Sequence, residues 1–420
     1  MSEAKASQVD WTLFGRLPVF RKLWKDPILH ELKRAQNHPN HPWHRPKAAA
    51  AMLKEAELLG LSGDLWQQYL LHLLCEGNNL AGTTIERTGL AGEGLTKALA
   101  EDLAQLEPFF TLKGSDVFGA SLFDDYKPAK PGHLNLEASL AKAFAAAPTP
   151  EDKARCLLQH YKRHGRGILA RFEAFCLDHK GAFQGIPDFP HFAWEDLLGC
   201  EDQKEKLLQN TRQFMAGRGS NNVLLTGARG TGKSTSVKAL IPLFSPQGLR
   251  LVQIKRDQLN LLAPAMEQAG QMRSHRFIFF FDDLSFDENE KEYKYLKSAI
   301  DGGASPQPEN VLLCATSNRR HLLKETWADR SDELEAEVFR EDATNESISL
   351  SDRFGLILHF GAPSQKDYLA IIDHELRKEG IVLDPNELRV LGVRWEMGHS
   401  GRNGRIAKQF VQWYLGSHME

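Results

Sequence analysis

The 420-residue chain has only five cysteines, Cys75, Cys156, Cys176, Cys200 and Cys314, and no two of them form a CxxC pair. That spacing excludes a zinc ribbon and argues against a disulfide framework. It fits reduced thiols in a cytosolic protein. An excess of one charge is also missing: 52 Lys and Arg stand against 55 Asp and Glu, a formal net charge of -3. The chain as a whole therefore does not advertise itself as a nucleic-acid binder, nor is it acidic enough for disorder. No apolar run approaches the ~20 residues that a membrane helix needs. The first ten residues are polar and hold no apolar core of a secretion signal. Internal repeats and low-complexity tracts are absent. The expectation is a cytoplasmic protein with no membrane partner.

What is present is the balance of a globular chain, 42% hydrophobic and 25% charged, long enough for two or three domains. Residues 1 to about 180 read as mostly helical. Helical spacing covers residues 48–60, 98–106 and 136–147. Over residues 64–75 it sets Leu65, Tyr69, Leu70, Leu73 and Leu74 on one apolar face. Residues 114–133, rich in Gly, Pro, Asp and aromatics, read as loop. A proline-aromatic hinge at 186–194 precedes a change of pattern to alternating strands and helices. Residues 222–226, 277–281, 311–316 and 356–360 read as strands, and residues 249–255 as a strand at a sheet edge. Such alternation implies a parallel sheet covered on both faces. From Pro363 the pattern returns to helices. Ser364 and Asp367 form a capping box for the first, and residues 384–396 and 402–415 supply two more. The predicted fold class is an α/β P-loop NTPase core with a C-terminal helical lid, preceded by a mostly α-helical N-terminal domain. Its expected divisions are 1–185, 186–362 and 363–420.

Three segments carry chemistry. Gly227-Ala228-Arg229-Gly230-Thr231-Gly232-Lys233-Ser234 has the full G-x-x-x-x-G-K-S pattern, after a strand and before a helix. Glycines let the backbone curl so that N–H groups face phosphate oxygens, and the helix start adds the positive end of its dipole. Lys233 is placed to reach the β and γ phosphates, and the Ser234 hydroxyl to reach Mg²⁺. Thr235 follows in the same helix start. The second segment, Phe277-Ile278-Phe279-Phe280-Phe281-Asp282-Asp283, is a buried strand ending in two carboxylates. Asp282 is expected to hold Mg²⁺ and Asp283 to orient the attacking water. The alternative is an ordinary strand followed by a helix cap, and the position about 50 residues beyond a P-loop further favours Walker B. The third, Cys314-Ala315-Thr316-Ser317-Asn318, ends a strand in neutral hydrogen-bonding groups; alone it is more often just a turn.

In this order, with Ser351-Asp352-Arg353-Phe354-Gly355 and Asn403-Gly404-Arg405-Ile406-Ala407 downstream, the motifs resemble an AAA+ module. More specifically, the chain resembles the bacterial AAA+ family described as a domain of unknown function. It shares the run Asn221-Asn222-Val223-Leu224-Leu225 before the P-loop, Asp282-Asp283-Leu284-Ser285-Phe286, and the stretch from Ala315 through Arg319-Arg320-His321-Leu322. The resemblance covers roughly residues 189–415. It implies ATP and Mg²⁺ as ligands, ATP hydrolysis, and a ring-like homo-oligomer of about six subunits acting on a macromolecular client. It also implies Asn318 as the sensor 1 residue and Arg353 as an arginine finger pointing into a neighbouring subunit's site. Arg405, with Arg402 as the alternative, would be the sensor 2 arginine, and the turn at Leu198 would pack on adenine. One departure stands out. Most AAA+ enzymes end Walker B in Asp-Glu, whereas Asp283 is one methylene shorter. That predicts slow basal hydrolysis; Asp287 and Glu288 are poorer substitutes from the following turn.

Other features are weighed more plainly. His38, His41 and His44 cluster among prolines without a carboxylate or cysteine nearby in sequence, so a bland loop is preferred over a metal site. Arg16, Arg21, Lys22, Lys25, Lys33 and Arg34, interleaved with Phe14, Phe20 and Trp24, are compatible with a nucleic-acid surface. A solvated face over an aromatic core is the commoner arrangement. Acidic residues 329–346 read as a solvated segment or a partner-binding insertion. The expected function is an ATPase that remodels a client. The rivals are a DNA-binding initiator or loader, and an ATP-dependent assembly switch with slow hydrolysis.

Overall fold

The computed structural model describes residues 9–130, 136–285, 291–300, 306–318, 353–399 and 401–418. The chain divides into two units. The first is Met1–Phe172 with Gln271–His275, and the second is Glu173–Gly270 with Arg276–Glu420.

The first unit is helical, and side-chain caps set its helix starts. Asp26 accepts from the amides of Ile28 and Leu29 ahead of the helix Pro27–Asn37. Asp64 does the same for Leu65–Glu76, Asn79 for Leu80–Thr88 and Thr149 for Pro150–His164. Each satisfies an amide that the first turn leaves without an intrahelical partner. The helix Leu65–Glu76 buries Trp66, Leu71, His72 and Cys75 along with its expected apolar face. It is enclosed on all sides rather than amphipathic. Trp66, Trp11, Phe14 and Phe109 meet edge-to-face in the core, and the Trp66 indole donates to the Phe109 carbonyl at 2.8 Å. The segment expected to be loop after residue 114 includes a short helix, Gly114–Phe118.

The second unit is built on a seven-stranded sheet of order β2-β1-β4-β5-β6-β3-β7. The strands are β1 Ala174–Leu177, β2 Phe183–Gly185, β3 Val223–Gly227, β4 Leu249–Ile254, β5 Arg276–Phe281, β6 Val311–Ser317 and β7 Leu356–Phe360. All neighbours are parallel except β1 and β2, which form an antiparallel pair. β3 and β6 are buried along their whole length, as a sheet covered on both faces requires. Among the described residues, three α-helices follow β7. Gln365–Lys378 starts on the expected Ser364–Asp367 capping box, Pro385–Met397 is capped by Asp384, and Gly404–His418 buries Ile406, Ala407, Phe410, Val411 and Tyr414. The fold class read from the sequence is the one present.

Two features differ from expectation. β4 is not an edge strand: it lies between β1 and β5. Its Arg250 is 3% exposed and donates to the carbonyls of Ser245 and Leu249 at 3.1 and 2.9 Å. A guanidinium satisfied by carbonyls can sit inside a sheet. The strand that covers β4 is β1, which with β2 belongs to this sheet, although both precede the expected boundary after residue 185. The two strands meet in a tight turn. Asp178 accepts from the amides of Lys180 and Ala182, and Gly181 takes φ 81°. Such a turn joins the two antiparallel strands.

Candidate active site

The parallel strands β3, β5 and β6 deliver three sequence motifs to one end of the sheet. At the end of β3 the chain turns through Gly227 at φ 133°, then Gly230 at φ 77° and Gly232 at φ 95°. A β-carbon at Gly227 would lie 2.0 Å from the Phe360 carbonyl oxygen, and one at Gly230 would lie 2.6 Å from Asn403 Oδ1. Only glycine fits this cradle, and curled backbone of this kind is what a phosphate chain needs. The helix Lys233–Phe244 begins at its lip.

Lys233 is 6% exposed. Its ammonium donates to the carbonyls of Gly227 and Ala228 at 2.6 and 2.7 Å and to Asn318 Oδ1 at 3.1 Å. Burial pulls its pKa below the ordinary lysine value, and the carboxylates of Asp283 and Asp282 oppose that pull. Ser234 Oγ and Thr316 Oγ1 both donate to Asp282 Oδ1, at 2.5 and 2.8 Å. A hydroxyl and a carboxylate converging so closely are the oxygen donors that suit Mg²⁺.

Asp283 is the only residue other than glycine at positive φ among the described residues, at φ 57°. Its amide donates to Thr316 Oγ1 at 2.9 Å. Its carboxylate accepts from the Asn318 amide group and faces Arg229 at 3.7 Å. Asn318 therefore touches both Lys233 and Asp283. Thr316, 1% exposed, is a site residue the sequence reading underweighted. Its place at the end of β6 was the available signal.

A cavity of about 480 Å³ opens beside the P-loop, lined by Leu198, Gly230, Thr231, Gly232, Thr235 and Arg405 among others. The Gly404 amide donates to the Gly230 carbonyl at 2.9 Å, which ties the start of the last helix to the glycine cradle. Arg402 points to a different partner, Glu396, at 2.9 Å. Asp196, next to Leu197 and Leu198, is bonded by His374 at 2.8 Å and paired with Lys378. Burial works against the charged Asp196, but the hydrogen bonds from Lys378 and His374 outweigh it and hold its pKa below the usual carboxylate value.

Arg353 is not brought to this cluster. It precedes β7, whose Leu356 pairs with Val223 and whose Phe360 pairs with Gly227. Four strand steps, roughly 13 Å, thus separate the end of the sheet near Arg353 from the end that carries the P-loop. There Arg353 lines a polar recess with Arg218, Asn221, Arg276 and Glu309. Asp287, Glu288, residues 319–350 with their acidic run, Ser351 and Asp352 lie outside the described residues.

The remaining features of the sequence take structural places. Phe14 and Phe20 are core residues at 1% and 0% exposure, leaving Trp24 as the exposed ring of the basic stretch. His44 bonds Glu31 at 2.8 Å and stacks on His41 with ring centres 4.5 Å apart. Among the described residues, no helix is long and apolar enough to cross a membrane.

None of the curated proteins matches the chain. Among solved structures it is similar to the RuvB Holliday junction branch migration motor of Thermotoga maritima. That match has 20% identity and a TM-score of 0.36, and covers 55% of this chain and 66% of that one. It is similar to the AAA domain of FIGL-1 in complex with ADP, at 17% identity and a TM-score of 0.39, covering 54% and 74%. It is also similar to PCH-2 of C. elegans, at 16% identity and a TM-score of 0.35, covering 54% and 65%. The chain thus spans about two thirds of the RuvB and PCH-2 chains. Residues 170–418 match the family model described as protein of unknown function (DUF815). Because that match takes in more than half of the 420 residues, the chain belongs to the DUF815 family.

Proposed function

We propose that this protein is an ATPase that binds ATP with Mg²⁺ in the cavity beside the P-loop. It hydrolyses the nucleotide at a site completed by Arg353 of a neighbouring copy and uses the cycle to remodel a macromolecular client. The observation that carries the reading is the convergence of Lys233, Ser234, Asp282, Asp283, Thr316 and Asn318 on one glycine cradle. In this reading Gly227 through Thr235 cradle the phosphates, Lys233 neutralises them, and Ser234 and Asp282 hold the metal. Bound Mg²⁺ would supply charge neutralisation at the phosphates. Asp283 orients the attacking water, with Asn318 beside it. Arg405 approaches the phosphates from the last helix, and Leu198 packs on the base. Arg353 sits too far along the sheet to serve its own P-loop, which favours action in trans.

A second reading, an assembly switch with slow hydrolysis, is favoured by Asp283. Its side chain is short, its backbone is held at φ 57°, and its carboxylate is engaged by Asn318. An aspartate held in this way has less freedom to reach a water than a glutamate.

Hydrolysis per subunit, followed across protein concentration, tests both readings. Wild type, Lys233→Ala and Arg353→Ala are compared with and without DNA. The ATPase reading expects the rate per subunit to rise with concentration and both substitutions to abolish it. Normal turnover by Arg353→Ala at every concentration would remove the intersubunit site. A wild-type rate typical of a fast motor would sink the switch. Stimulation by DNA would point to a loader-like client, the rival drawn from the sequence.

A further inference from the structure

The last helix, Gly404–His418, turns one polar face to the nucleotide cavity. Arg405, Lys408, Gln409 and Gln412 all line that cavity. At about 100° per residue, the last three fall within about 60° of the direction of Arg405. The opposite stripe of the helix, including Phe410, Val411 and Tyr414, is buried. The helix is fixed at its start, since Gly404 donates to the Gly230 carbonyl. Arg405 therefore stands at the phosphate end. A rise of 1.5 Å per residue carries Gln409 about 6 Å and Gln412 about 10.5 Å farther along the cavity. A nucleotide with its phosphates at Gly230 that extends along this helix would carry its base past these glutamines. Leu198 also lines the cavity and offers the apolar surface on which a base packs.

From this placement we infer that Gln409 and Gln412 read the base and select adenine over guanine. The inference rests on the P-loop reading above, because it takes the phosphates to lie at Gly230. A glutamine amide carries one donor and one acceptor side by side. Adenine presents the complementary pair, an N6 amino donor beside the N7 acceptor, whereas guanine presents two acceptors, O6 and N7, on that edge. Neither glutamine makes a hydrogen bond or ion pair among the described residues, so both amides are available to a ligand. Two carboxylates also line the cavity: Asp196, held by His374 and Lys378, and Glu375, which lies 3.6 Å from both Lys378 and Lys408. Both carboxylates are already engaged, which makes them poor partners for the N–H groups of guanine.

Equilibrium binding to the full chain tests this, with Mg²⁺ present and ATP, GTP and inorganic triphosphate as probes. Wild type is compared with the double variant Gln409→Leu/Gln412→Leu and with Arg405→Ala. Both glutamines are exposed and leucine is an equally good helix former, so the double variant folds. Wild type is expected to bind ATP about tenfold or more tightly than GTP. The double variant brings that ratio within about threefold and leaves inorganic triphosphate binding unchanged. Arg405→Ala weakens all three probes together. An ATP-to-GTP ratio that survives in the double variant, or a wild type that does not prefer ATP, overturns the inference while leaving the P-loop reading intact. If wild type binds none of the three probes, the P-loop reading itself falls.

Discussion

Asp283 combines three constraints on one residue: a left-handed backbone, an amide tied to Thr316 and a carboxylate tied to Asn318. A backbone so determined by its neighbours places the carboxylate repeatably, and left-handed strain at non-glycine positions concentrates at functional sites. Asp283→Asn keeps the size and the hydrogen-bonding reach but removes the charge that, in the proposed site, would polarise the attacking water. It is expected to lower the hydrolysis rate about 10²–10⁴-fold while ATP affinity stays within a few fold; rate and binding measured on the same preparation check this. Cys200 also lies at the cavity, and burial pushes its thiol up to about 11. The thiolate is the reactive form. At pH 8 Cys200 is therefore expected to resist iodoacetamide, and to react only as the pH rises toward 11 or when the chain is unfolded. Mass spectrometry of alkylated peptides gives the answer, and rapid labelling of Cys200 at pH 8 would contradict it.

At the level of elements, the site depends on β3 and β7 being neighbours. Gly227 ends β3 against Phe360 of β7, and there is no room for a β-carbon between them. Gly227→Ala would have to displace β7 and adopt a disfavoured backbone, at a cost of roughly 1–3 kcal/mol or more. The expected outcome is a lower Tm and loss of ATP binding. Lys233→Ala separates the two effects: it should lose ATP binding with little change in Tm. A Gly227→Ala protein with wild-type Tm and affinity would show that the close approach is not required. Elements also explain which parts of the architecture were legible. β5 and β6 were visible because uninterrupted apolar runs in an α/β pattern leave few other structures to adopt. The alternation over residues 249–255 fits an edge strand as well as an interior one, and β1 and β2, strands of four and three residues, carry too little pattern to stand out. In both cases the deciding facts were non-local: carbonyls that satisfy Arg250, and a neighbouring strand for each short run.

At the scale of the whole molecule, the P-loop and Arg353 occupy opposite ends of the sheet. One chain therefore carries two halves of the proposed site, and each half needs a second chain. Lys233→Ala retains Arg353, and Arg353→Ala retains a complete P-loop. Mixed after dissociation, the two inactive variants are expected to recover part of the wild-type hydrolysis, because some interfaces then pair an intact P-loop with an intact finger. Recovery should vary with the mixing ratio and be absent from either variant alone. No recovery at any ratio, with oligomers shown to have exchanged subunits, would argue against a finger delivered in trans.

The sequence by itself determined the residues of the candidate site. Gly227 to Ser234, Asp282 and Asp283, and the Thr316–Asn318 strand end are contiguous signals. Each backbone demand, a glycine cradle or a strand ending in carboxylates, is written within a few residues. The helical caps at Asp64, Ser364 and Asp384 were equally local. Only the tertiary structure decided what meets what. It set Thr316 on Asp282 and Asn318 between Lys233 and Asp283, and it sent Arg402 to Glu396 while Arg405 faces the cavity. It turned Gln409 and Gln412 toward the same cavity and put Phe14 and Phe20 in a core rather than on a surface. These outcomes depend on strand order and helix packing between residues far apart in the chain, and no local spacing encodes them.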